Sequence, residues 1–97
     1  MENKYIAELK KIILDDLQNE NVKIILYGSR ARGDNHYTAD VDIGFIPREK
    51  FNTIKITLLR EKLENSNIPY KVDIVNLNTV SADFKNEIMK DAIVWKD

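Results

Sequence analysis

Two aspartates one residue apart, Asp40 and Asp42, stand ten residues beyond a Gly28-Ser29 pair, and a third, Asp73, lies inside a later apolar run. Carboxylates are hard oxygen donors, so alternate aspartates on one face of a strand suit Mg²⁺ or Mn²⁺, ions that keep several waters and share their shell with substrate phosphates. If the strands carrying Asp40-Val41-Asp42 and Asp73 are neighbours, three carboxylates converge and repel one another unless a cation neutralises them. The Gly-Ser pair supplies the complementary half. Glycine lets backbone N–H groups come close to a ligand, Ser29 adds a hydroxyl donor, and a helix starting there turns its positive end toward an anion such as phosphate. Arg30 and Arg32 follow the turn as candidate phosphate clamps. A metal that lowers the pKa of an attacking hydroxyl and neutralises a leaving group, set beside a phosphate cradle, is the equipment of phosphoryl or nucleotidyl transfer.

Each piece alone has an ordinary explanation. Asp-x-Asp on a strand is usually a solvated face, Gly-Ser a plain turn, and a pair of arginines surface charge. Their conjunction at fixed spacing, with a third aspartate in mid-strand, is what points to a site. His36, the only histidine, sits in a polar loop and is assigned no role.

The surrounding elements must hold these residues. Tyr5, Ile6, Leu9, Ile12, Ile13 and Leu17 recur at helical spacing, predicting an amphipathic helix over 3–18. Val22 to Tyr27 is an apolar, β-branched run that reads as a buried strand feeding the turn, and Ser29 to Arg32 forms a short helical turn. A second strand is expected over 39–46 and is ended by Pro47; alternation then puts Asp40 and Asp42 on one face and Val41, Ile43 and Phe45 on the other. Ile54, Leu58, Leu59 and Leu63 set a second long helix, and Tyr70 to Leu77 a third strand with Val72 and Ile74 opposite Asp73 and Val75. Ser81 is the N-cap of a last helix with Phe84 and Ile88 facing inward, and Ala92 to Trp95 an edge strand. The order αβ(α)βαβαβ implies an α/β (α+β) fold, a single small domain spanning 1–97, with one mixed sheet covered mainly on one face.

Composition agrees with one domain. At 97 residues, 43% hydrophobic and 32% charged, the chain has an ordinary globular balance and a core that must use nearly every apolar residue. A net charge of −1 gives no general attraction to polyanions, so direct nucleic-acid binding is not expected. Cysteine is absent, which excludes disulfides and thiolate metal sites. With neither a signal peptide nor an apolar run of membrane length in view, no membrane association and a cytoplasmic location are the expectations.

With these residues in view, the chain resembles a minimal nucleotidyltransferase (MNT) domain of the DNA polymerase β-like nucleotidyltransferase superfamily over almost its whole length. The pattern of that group is Gly-Ser, ten residues, Asp-x-Asp, and a later strand aspartate, matched by Gly28, Ser29, Asp40, Asp42 and Asp73. Ser29-Arg30-Ala31-Arg32-Gly33 fits it too, whereas Ala39 stands where relatives usually carry serine. The resemblance implies that Gly28 and Ser29 hold the triphosphate of ATP and that the three aspartates carry two Mg²⁺ ions. It implies that Asp73, nearest the acceptor, helps to activate its hydroxyl. It also implies the role of antitoxin in a toxin–antitoxin system, adenylylating a tyrosine of a HEPN-family partner, typically an RNase. A small lone domain leaves the acceptor's binding surface to that partner, so a hetero-oligomer is expected, or a homodimer when the chain is alone. Tyr70 and Trp95 are the candidate docking aromatics. Two other readings stand beside this one: nucleotidyl transfer to a small molecule, and neutralisation of a toxin by contact without chemistry.

Overall fold

The computed structural model describes residues 3–97. Helix α1 (Lys4–Leu17) starts where the Asn3 side chain accepts the amides of Tyr5 and Ile6 at 3.0 and 2.9 Å, satisfying two N-terminal donors. Its Ile6, Leu9, Ile13 and Leu17 make one buried stripe. Strand β1 (Val22–Tyr27), the one-turn helix α2 (Ser29–Arg32) and strand β2 (Val41–Pro47) follow, then α3 (Ile54–Glu64), β3 (Val72–Asn76), α4 (Ala82–Met89) and β4 (Ile93–Lys96). Ser81 caps α4, its Oγ accepting the Phe84 amide at 3.2 Å.

The strands form one sheet in the order β3-β2-β1-β4. β1 pairs antiparallel with β2 and β4, and β2 pairs parallel with β3, so the sheet is mixed. Period-two alternation sorts the strands into two packed faces. Val22, Ile24, Leu26, Val41, Ile43, Phe45 and Ile74 meet α1 and α3 in the larger core; Ile25, Tyr27, Leu77 and Ile88 form a smaller one under α4. Asp42 and Asp73 belong to the second face, on which α4 packs through Ile88.

Several expectations shift. β2 begins at Val41 rather than Ala39 and retains Pro47, which pairs with Val22. The residues before it are held in a turn, with the Ala39 amide donating to the His36 carbonyl at 2.9 Å. Asp40 therefore lies in the connection, and strand alternation does not govern it. In α3 the buried residues are Ile56, Leu59 and Leu63, whereas Ile54 and Leu58 are more than half exposed, so the helix is rotated from the expected stripe. Phe84 points outward as well. Trp95 is buried in the larger core, which removes it as a docking residue.

Candidate active site

Gly28 makes the turn that joins β1 to α2. Its φ of 77° and ψ of −156° fall in a region essentially restricted to glycine. The space a side chain would fill there is taken: a Cβ on residue 28 would lie 2.5 Å from Oδ2 of Asp42. The turn and the second aspartate of the Asp-x-Asp pair are thus in immediate contact, although thirteen positions separate them in the chain. In α2 the Ala31 and Arg32 amides donate to the Gly28 carbonyl, both at 3.1 Å, leaving the amides of Ser29 and Arg30 at a helix start that supplies no acceptor of its own.

Sheet register then aligns three polar side chains. Tyr27 pairs with Asp42 and Asp42 with Asp73, so the three form a row across β1, β2 and β3 on one face. Half-burial raises the Asp42 pKa above the usual carboxylate value, the charges of Asp73 and then Asp40 push it the same way, and Arg32 opposes them. The Tyr27 phenol is raised too, first by burial and then by Asp42 and Asp73. Lys71 Nζ stands 3.8 Å from Asp73 Oδ1, but both side chains are largely exposed and such a pair is weak. The face therefore carries negative charge that no buried cation among the described residues offsets.

Arg30 and Arg32 differ in what they touch. Nε and one terminal nitrogen of Arg30 donate to the Ala39 carbonyl at 3.1 and 2.8 Å, and the same terminal nitrogen to the Tyr37 carbonyl at 3.2 Å. Its guanidinium carbon lies 4.2 Å from the centre of the Tyr70 ring. Tyr70 is fixed in turn, its hydroxyl accepting from Asn3 Nδ2 at 3.0 Å and its ring meeting Tyr5 edge-on at 6.0 Å. Arg30 thus braces the loop that delivers Asp40 instead of standing free as a clamp. Arg32 pairs with Asp34 at 3.0 Å on the surface.

Of the three aspartates, Asp42 and Asp73 stand in register on adjacent strands, whereas Asp40 lies in the connection ahead of β2 and bears on Asp42 through its charge. Asp40 is exposed, one residue ahead of β2, and among the described residues no group of three His, Asp or Glu side chains is arranged to hold a metal ion. The donor chemistry nonetheless fits a hard dication: oxygen donors in adjacent register, with a carboxylate pKa raised first by burial and then by its acidic neighbours. An open pocket of about 630 Å³ adjoins the pair, floored by Tyr27, Asp42 and Asp73 and bordered by Arg60, Tyr70 and Lys71. No motif in the sequence singles out Tyr27. The available signal was its place at the end of β1, in phase with Ile25 and opposite to Leu26.

Residues 8–97 match the family model described as Polymerase beta, Nucleotidyltransferase. Over 71 residues the chain is 31% identical to the "Probable protein adenylyltransferase MntA" of Haemophilus influenzae, a match that covers 73% of this chain and 62% of that protein. The chain thus spans less than two thirds of that relative's length. Among solved structures it resembles a toxin–antitoxin structure with AMP-PNP, with a TM-score of 0.68 and 24% identity over 89% of this chain and 71% of the other. It also resembles a tri-AMPylated Shewanella oneidensis HEPN toxin in complex with MNT antitoxin, with a TM-score of 0.62 and 21% identity over 92% of this chain and 70% of the other. At these identities the likeness to the two structures is one of fold.

Proposed function

The chain belongs to the Polymerase beta nucleotidyltransferase family, and from that membership we propose that it transfers AMP from ATP to a tyrosine hydroxyl of a HEPN-family protein, so acting as an antitoxin. The observation that carries this reading is the contact of the Gly28 turn with Asp42, with Asp73 in register beside it. That arrangement sets the backbone amides of a helix start against an acidic pair, which supports a phosphate-binding role for the turn. The named relatives support the acceptor class, one being a protein adenylyltransferase and another a structure containing an AMPylated HEPN toxin.

In this mechanism the Ser29 hydroxyl and the amides at the start of α2 hold the triphosphate, so that its charge meets donors rather than the carboxylates. Asp42 and Asp73 would hold Mg²⁺, with Asp40 reaching it from the loop that Arg30 braces. When bound, Mg²⁺ supplies neutralisation of phosphate charge and a lower pKa for the attacking hydroxyl. Asp73, on the edge strand at the end of the row, accepts the proton of the acceptor hydroxyl. The hydroxyl oxygen attacks the α-phosphorus, the bond to the α–β bridging oxygen breaks, and pyrophosphate leaves. Most of the acceleration comes from holding the two reactants in line.

The test is incubation of the purified chain with a HEPN-family partner, ATP and Mg²⁺. The partner should gain the mass of AMP on a tyrosine, and Asp42→Asn and Asp73→Asn should each prevent it. A partner that stays unmodified but is inhibited at equimolar mixing would instead establish neutralisation by contact.

A further inference from the structure

The strand that carries Asp73 is an edge. Resting on the transfer reading above, we propose that the outer edge of β3 docks the acceptor as an extended polypeptide segment, which adds to the sheet as a fifth strand and so brings a hydroxyl side chain to Asp73.

Hydrogen-bond parity identifies the open groups. The Val41 amide donates to the Lys71 carbonyl at 2.9 Å, and the Leu77 amide to the Phe45 carbonyl at 2.7 Å. In a parallel ladder alternate residues of a strand bond to the same neighbour, so residues 71, 73, 75 and 77 turn toward β2 and Val72, Ile74 and Asn76 turn outward. Arg60 independently marks the same parity, since it donates to the Ile74 carbonyl at 2.8 Å from the outer side. The Asn76 carbonyl is accepted into a turn by the Thr79 amide at 3.1 Å. What is left is the N–H and C=O of Val72 and the N–H groups of Ile74 and Asn76, which have no partner among the described residues, the groups of Val72 and Ile74 forming one run. An edge with unpaired backbone groups is a template for strand addition, and natural proteins usually blunt one that has no use.

The pocket lies over this run. It is lined by five consecutive residues, Lys71 to Val75, whose side chains alternate between the two faces, so it follows the strand's edge and not one face. Arg60 and Glu64 of α3 line it as well. Asp73 falls between the two outward positions, so a strand paired there presents every second side chain on the face that holds Asp73 and Asp42. Charge selects the occupant. Asp42, Asp73 and Glu64 line the groove, while Arg60 is committed to the Ile74 carbonyl and Lys71 stands beside Asp73. A phosphodiester strand is repelled there, whereas a neutral peptide backbone is not and meets the donors and acceptor it needs.

The test uses the whole chain, labelled for NMR, with the blocked peptide acetyl-Thr-Val-Tyr-Val-Thr-amide at millimolar concentration and its twin N-methylated on both valines. Amide exchange at Val72 and Ile74 should slow by about tenfold or more with the first peptide and not with the second, and with ATP and Mg²⁺ only the first should acquire AMP. Equal modification of the two peptides would mean that side chains alone deliver the hydroxyl, and would overturn the proposal. So would unchanged exchange at both amides, or protection of them by ATP and Mg²⁺ alone with exclusion of the peptide, which would give the groove to the nucleotide. Protection without AMP transfer, with no response of Gly28 and Ser29 to ATP, would keep the docking edge and refute the transfer reading.

Discussion

Replacing Gly28 with alanine tests the connection between turn and carboxylate. Two separable costs follow. Holding a non-glycine residue at φ 77° and ψ −156° costs about 2 kcal/mol, which for a domain near this size lowers the melting temperature by roughly 8–16 °C. The new Cβ would also stand 2.5 Å from Asp42 Oδ2, well inside the 3.4 Å at which ordinary contact begins, so the carboxylate must give way by close to an ångström. A displacement of that order at a reacting centre costs about 100-fold in rate. Gly33→Ala is the control. Gly33 has φ 82° in the left-handed region, yet nothing lies within 4 Å of its would-be Cβ, so about 1 kcal/mol of stability should go and the rate should remain. Melting by circular dichroism and AMP transfer to a HEPN-family partner at a temperature where both variants are folded read the two effects apart. Wild-type transfer by Gly28→Ala, or an equal loss in Gly33→Ala, would refute the steric argument.

Asp42→Asn should leave the melting temperature at pH 7 in metal-free buffer at or above the wild-type value. A carboxylate whose folded pKa is raised makes the native state bind more protons than the unfolded chain, so wild-type stability falls as pH rises through that window; the advantage of the asparagine should close as pH drops below the ordinary aspartate value of about 3.9, and a large loss at pH 7 would show the carboxylate to be structural. Arg30→Ala should cost about 2 kcal/mol in urea unfolding, because it removes charge-assisted bonds to the loop before Asp40 and the stacking on Tyr70, whereas Arg32→Ala should cost under about 0.5 kcal/mol. Equal effects of the two would contradict the bracing role. Gly44→Ala should destabilise by about 1–3 kcal/mol, since its Cβ would meet Leu77 Cδ1 at 2.7 Å and Ile25 Cγ1 at 3.0 Å in the smaller core, and a melting curve unchanged from wild type would show that this core yields.

Local chemistry made much of this legible in the sequence. The stripe of Ile6, Leu9, Ile13 and Leu17, the apolar run into Gly28, the Ser81 cap and the alternation around Asp42 and Asp73 are each set by residues within a turn or a strand of one another, and their elements lie where that chemistry puts them. What needed the tertiary structure is whatever depends on partners distant in the chain. In α3, Ile54, Ile56, Leu58 and Leu59 offer two competing apolar faces, and docking on the sheet selects Ile56 and Leu59. The neighbours of Asp40 are compatible with a strand, yet the bonds from Arg30 to Tyr37 and Ala39 hold that stretch in a loop. The Gly28 contact with Asp42, the alignment of Tyr27 with both aspartates and the outward amides of β3 are products of strand order and register. The types and spacing of the reactive groups were therefore a property of the sequence, whereas which of them meet was decided by long-range pairing, which no local pattern encodes.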